Sequence, residues 1–209
     1  MPKPLDELLE KQSPAWPTVT SLISSAPRKV EVLPRDPAQA ERTLLALDVT
    51  TRTTLGAVAW ETAGILVDDG WLRILGSGSD RMQGSLLTWN GLGGEPKVAA
   101  TGGYLIVAHD VLGGVFAMDG GGLGPGKGEA YYLAPDTFEW EDLEMGYTQL
   151  IHFFLTGDLG GFYEAFRWPG WRDEVRALPP DQSLSLDPSG ARRPVSSVDL
   201  FRSELAQQH

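Results

Sequence analysis

The sequence predicts an α+β fold, with a central, mostly antiparallel sheet flanked by N-terminal and C-terminal helices. Three observations carry this prediction. Cap-and-proline helix starts fill the first fifty residues, short apolar runs separated by glycine fill the middle, and helical texture returns beyond Pro135. The links between the strand-type runs are too short for the helical crossovers that a parallel sheet needs. At 209 residues the chain is read as one domain, 1–209, with a helical part over 1–50, a β-rich core over 51–140 and a helical part over 141–209.

In chain order, Pro4 to Lys11 reads as helical. A second helix is expected where Ser13 can cap and Pro14 can take the first helical position, bracketed by Pro17 and Pro27. Val30 to Leu33 is extended. Asp36-Pro37 then repeats the cap-then-proline signal and opens a helix with Ala40, Leu44 and Leu47 on one face. From Leu55 the runs LGAVAWE, GILVDDG and WLRILG read as strands, the last two joined by a hairpin turn at Asp69-Gly70. YLIVAHD, GGVFAMDG and EAYYLAP follow, so five to seven strands are expected in a meander. Helices are read over Tyr147–Leu155 and Phe162–Phe166, followed by RWPGWRDEVRAL. Residues 178–193 read as a loose surface segment before a short last helix from Ser197 to Leu205.

Composition limits the chemistry. No cysteine is present, which excludes disulfides and thiolate metal sites and suits a cytoplasmic setting. No stretch approaches the roughly 18 apolar residues of a membrane span. The net charge of −11 opposes nucleic-acid binding; it suits a basic protein partner, while solubility alone is the more economical account of an acidic surface. The three histidines, His109, His152 and His209, lack zinc-site spacing, so neither a metal nor a cofactor is expected.

The motifs that resemble catalytic signatures fail on their details. Gly121 to Lys127, GGLGPGK, has P-loop spacing, but Gly128 stands where a hydroxyl should meet magnesium, and a strand follows where a helix is required. A hairpin loop is the better reading. His109 and Asp110 are neighbours on a strand and point to opposite faces, so they make no base-and-carboxylate pair. Ser77 and Ser79 in GSGSD lack the flanking pattern of a nucleophile elbow. The pairs Asp68-Asp69 and Glu141-Asp142 are expected to be solvated.

The residue that asks for an explanation is Arg73, a guanidinium in the mostly apolar strand GWLRILGSGSDRM. It is expected either to pair with an internal carboxylate, Asp110 or Asp119, or to sit at a pocket rim beside the glycine-serine turn. The candidate binding set is therefore Trp71, Arg73, Ser77, Asp80, Arg81, Asp110 and Asp119, suited to an anionic or polar ligand. Trp168 and Trp171, around Pro169-Gly170, are expected to pack between layers, with self-association through this region as the alternative.

The strings LGAVAWETAGILVDDGWLRILGSGSDR, DVLGGVFAMDGGGLG, YYLAPDTFEWEDL and GYTQLIHFFLTGDLGGFY resemble a bacterial domain-of-unknown-function family over nearly the whole chain to Leu178, beyond which the tail departs from its pattern. More distantly, the D-x-x-G-G hairpin at Asp110, Gly113 and Gly114, followed by a helix bearing Phe153 and Phe154, is similar to the SUKH superfamily, which includes Smi/Knr-type proteins. That likeness implies a SUKH-like α+β sheet and a non-enzymatic, toxin-immunity type of protein binding; it brings no catalytic residue with it.

Overall fold

The structure, a computed structural model, describes residues 3–95, 103–186 and 191–205. It is α+β. Seven strands form one antiparallel meander in sequence order: β1 (Val30–Pro34), β2 (Thr62–Val67), β3 (Leu72–Leu75), β4 (Tyr104–Asp110), β5 (Val115–Asp119), β6 (Ala130–Leu133) and β7 (Trp140–Asp142). Each strand pairs antiparallel with its chain neighbour, although the β1–β2 and β3–β4 connections are long enough to carry helices.

Helices come before the sheet, between its strands and after it. The first are α1 (Leu5–Leu8) and α2 (Trp16–Ser25), then α3 (Pro37–Leu47) and α4 (Thr54–Glu61) between β1 and β2, and α5 (Leu86–Asn90) between β3 and β4. Beyond β7 come α6 (Tyr147–Thr156), α7 (Leu159–Phe162), a 3-10 turn at Glu164–Phe166 and α8 (Trp171–Arg176). The chain continues with a hairpin of β8 (Gln182–Leu186) and β9 (Arg192–Ser196), and α9 (Ser197–Leu205).

Both faces of the sheet are covered. Phe116 and Tyr132 stack at 4.5 Å on the face where Phe154 of α6 and Phe162 of α7 pack against them. On the opposite face, Trp89 of α5 stacks on His109 at 4.8 Å and meets Phe201 of α9. Arg28, in the turn before β1, donates to the carbonyls of Phe154, Leu155 and Gly157, which caps the C-terminus of α6 and ties it to the N-terminal helices.

Four expectations are corrected. LGAVAWE is helix α4: the Thr53 hydroxyl accepts from the Gly56 amide as N-cap, and a continuous apolar run is ambiguous until such a cap decides it. Gly56 permits close packing, since a Cβ there would lie 2.1 Å from the Thr50 carbonyl oxygen. The segment 178–193 contains strand β8, whose alternation Ser183-Leu184-Ser185-Leu186 is a period-2 signal. Leu184 is buried, and its amide bonds the Val111 carbonyl at 2.6 Å. Near the start, the helix spans only Leu5–Leu8, and the next begins at Trp16 with Pro17 inside its first turn, where a missing N–H costs nothing. Asp68 and Asp69 are largely shielded from solvent, as described next.

Candidate functional site

The register places Glu31, Leu66, Arg73, His109, Val115, Leu133 and Trp140 in a single row across all seven strands, and residues in one such row share a face. Arg73 thus stands on the α5 and α9 face beside His109. It is 1% exposed.

No acceptor bonds its Nε or Nη1, and it makes no ion pair among the described residues. Asp110 cannot supply one. It sits in the next row, opposite Leu72, so its side chain projects from the other face of the sheet. Asp119 lies at the far end of β5, opposite Tyr104. The expected salt bridge is therefore not formed, because alternation and register hold both carboxylates away. Burial pulls the guanidinium down to about 10, with partial relief from Asp110 and Asp181 at a distance, so it is still charged at neutral pH. His109 is pushed down to about 3 by burial and by Arg73, and is neutral.

Arg73 lines a cavity of about 120 Å³ whose walls include Lys29, Glu31, Asp69, Arg81 and Arg176. Four cationic side chains face two carboxylates there, the reverse of the balance in the chain as a whole. The carboxylates are engaged. Asp69 pairs with Arg176 at 3.1 Å, Lys29 at 3.7 Å and Arg172 at 3.6 Å, and Glu31 pairs with Arg81 at 2.7 Å.

The roof of the cavity is the β2–β3 turn. Asp68 (φ 53°), Asp69 (φ 61°) and Gly70 (φ 89°) are all left-handed, a conformation that aspartate tolerates and glycine prefers. Asp68 bonds Arg167, whose guanidinium lies 5.1 Å from the Trp71 ring and 4.4 Å from that of Trp171. Trp71 also meets Tyr163, Trp168 and Trp171 at 4.9 to 5.6 Å. Arginines from the RWPGWRDEVR segment thus neutralise the Asp-Asp turn. That pairing needs two segments about a hundred residues apart, and strand patterning gives no sign of it.

A second, larger groove of about 560 Å³ adjoins the first and shares Arg81 with it. Its lining includes Ser77, Ser79, Asp80, Arg81 and Thr88. The Ser77 hydroxyl donates to the Thr62 carbonyl at 2.9 Å. Behind the loop, the Asp181 carboxylate accepts from the amides of Gln83 (2.8 Å) and Gly84 (2.7 Å), fixing the tail to the GSGSDRM turn.

The sequence-derived set thus divides. Arg73 and Arg81 share the cavity; Ser77 and Asp80 line the adjoining groove; Trp71, Asp110 and Asp119 lie elsewhere. Trp71 belongs to the aromatic cluster. Asp110 closes the β4–β5 hairpin, accepting from Leu112 (2.8 Å), Gly114 (2.9 Å) and the Tyr132 hydroxyl (2.8 Å). Burial outweighs these three bonds and pushes its carboxyl up to about 6. Asp119 accepts from the amides of Gly121, Gly122 and Leu123, organising the glycine loop that follows β5 as a hairpin connection. The cavity residues without a motif are Lys29, Glu31 and Arg176, and Asp69 carries only a turn signal; no spacing signal links the four.

Among the described residues no helix is long and apolar enough to cross a membrane, and no group of three or more His, Asp or Glu could hold a metal ion.

The fold and cavity define an α+β protein in which a buried arginine, with no acceptor on Nε or Nη1 among the described residues, lines a cavity with more cations than carboxylates. Residues 5–200 match the family described as protein of unknown function DUF2625, and the chain belongs to that family. It is similar to an uncharacterised protein of Haemophilus influenzae, 38% identical over 184 residues, covering 88% of this chain and 81% of the relative. It is equally similar to an uncharacterised protein of Escherichia coli K12, YbfG, 38% identical over 184 residues, covering 88% of this chain and 83% of the relative. No solved structure matches it.

Proposed function

We propose that this protein binds an oxyanion, a phosphate or a carboxylate, through Arg73. One observation carries the reading: a fully buried guanidinium, without an acceptor on Nε or Nη1 among the described residues, lines a cavity whose other cations, Lys29, Arg81 and Arg176, outnumber the two carboxylates they pair with. Burying an unpaired charge costs several kcal/mol in general, and a bound counter-charge recovers it with directional hydrogen bonds. The sequence alternatives for Arg73 were an internal salt bridge or a pocket, and the geometry favours the pocket.

Thermal unfolding in the presence of inorganic phosphate or a small carboxylate tests this. Binding to the folded state stabilises by about 2.7 kcal/mol at a concentration of about a hundred times Kd. Arg73→Met removes the buried charge and retains the stem's volume. The variant is expected to lose the ligand-induced rise in Tm while being as stable as the parent without ligand, or more stable by about 1–4 kcal/mol. An equal response of parent and variant to every anion overturns the proposal.

A second reading, a non-enzymatic protein-binding module resembling SUKH immunity proteins, is favoured by the charge distribution. With cations gathered at the cavity and a net charge of −11, the remaining surface is strongly acidic and suits a basic protein partner. A pull-down that returns no stoichiometric basic partner counts against it.

A further inference from the structure

The cavity at Arg73 is too small for a whole metabolite. Ligand sites of roughly 300–1,000 Å³ enclose drug-sized molecules, whereas this one measures about 120 Å³. An oxyanion head fits it and little else does. The adjoining groove, about 560 Å³, has the size of a site for an organic body, and Arg81 belongs to both linings.

The groove differs from the cavity in having no counterpart of Arg73 among the described residues. Like Lys29, Arg81 and Arg176 around the cavity, its cations are already engaged: Arg42 bonds Glu95 at 2.6 Å, and Arg35 lies 4.6 Å over the Trp60 ring and donates to the Trp60 carbonyl. What it offers a ligand is uncharged polarity from Gln39, Ser79 and Gln83, together with the exposed carboxylate of Asp80. Amides, hydroxyls and one carboxylate are the groups that hydrogen-bond a polyhydroxylated body.

Arg81 borders both spaces, and among the described residues its guanidinium is held by Glu31 alone, through an exposed pair with side chains 57% and 41% exposed. Exposed pairs of this kind contribute at most about 1 kcal/mol, so an arriving anion competes readily with Glu31 for Arg81.

From these observations we infer that the ligand is a two-part molecule, an oxyanion attached to a polyhydroxylated body. Its head sits on Arg73, its body lies in the groove against Asp80 and Gln83, and Arg81 turns from Glu31 to the anion at the junction. This rests on the anion-binding reading and adds to it the class of ligand and the residue that selects it.

Calorimetric titration of the full chain with inorganic phosphate, a hexose 6-phosphate, the matching hexuronate and the uncharged hexose tests the inference. The hexose phosphate or the hexuronate is expected to bind at least about tenfold more tightly than inorganic phosphate, and which of the two does so identifies the head group. Asp80→Ala, in the groove, is expected to abolish that advantage, and Glu31→Gln to tighten inorganic phosphate and both charged sugars several-fold by freeing Arg81. Both substitutions lie on exposed side chains, so folding is not at stake.

If inorganic phosphate binds as well as either charged sugar, or Asp80→Ala leaves the advantage intact, the two-part ligand is wrong. Loss of phosphate binding in Arg73→Met alongside that result keeps the anion site and discards only this inference. Unchanged phosphate binding in Arg73→Met discards both.

Discussion

At the scale of single residues, Arg73 and Asp110 show how a side chain's partner depends on the face it occupies. They are neighbours through the pairing of β3 with β4, yet alternation separates them onto opposite sides of the sheet. Arg73 meets a cavity; Asp110 meets Tyr132 and the amides of its own hairpin. The tight fit at Asp110 explains the glycine pair of DVLGG. A Cβ on Gly114 would lie 2.2 Å from Asp110 Oδ2 and 2.4 Å from the Tyr132 hydroxyl oxygen. A measurable pH dependence follows. The Asp110 carboxyl is pushed up from 3.8 to about 6 by burial, so the folded state holds its proton more firmly than the unfolded chain does. Its contribution to stability is full below about pH 4 and is lost as pH rises through about 6, a change on the order of 3 kcal/mol. Asp110→Asn keeps an acceptor for the two amides and cannot ionise. Denaturant unfolding between pH 4 and 7 is expected to show the parent losing stability relative to this variant as pH rises; parallel curves would contradict the assignment.

At the scale of elements, caps and long-range anchors decide what apolar runs become. Val58 and Ala59 look like strand residues until Thr53 is seen to cap the helix they belong to, and β2 begins at Thr62 with no intervening loop. The β8–β9 hairpin is similarly contingent. Two strands alone are marginal in water, and this pair persists by docking. Leu184 is buried and bonded to Val111, Ser183 shares a hydrogen bond with Ser197, and the preceding Asp181 holds the Gln83 and Gly84 amides. Removing the Asp181 carboxylate breaks two charge-assisted bonds. Asp181→Ala is expected to lower stability by about 1.5–3 kcal/mol. Hydrogen exchange should rise at Gln83, Gly84 and β8 while β3 to β5 keep their protection; uniform change across the sheet would show that the clamp is not local.

At the scale of the whole molecule, charge is segregated. A chain with net charge −11 gathers Lys29, Arg73, Arg81 and Arg176 around one cavity. An approaching anion is repelled at long range and attracted only on arrival. Salt screens the long-range part first, since the Debye length falls from about 30 Å at 0.01 M to about 10 Å at 0.1 M. Association of phosphate is therefore expected to quicken over this range in a salt of a bulky organic anion, while dissociation, governed by the buried contact, changes less. Rapid-mixing kinetics measures both rates. A steep fall in the association rate would place control of approach in the basic rim.

The sequence by itself determined the α+β class, the antiparallel meander, the Asp36-Pro37 helix start, the Asp69-Gly70 hairpin and the peculiarity of an arginine at position 73. These are local properties, set by periodicity, capping and turn chemistry within a few residues. Tertiary structure alone decided that LGAVAWE is a helix lodged against the Thr50 carbonyl, that the tail forms a docked hairpin, and that Asp68 and Asp69 are clamped by arginines about a hundred positions downstream. It decided the site as well. Arg73 and Arg81 come together with Lys29, Glu31, Asp69 and Arg176, while Trp71, Asp110 and Asp119 are sent elsewhere, because register and sheet face fix which distant side chains meet and one residue of alternation separates a cavity wall from a buried hairpin.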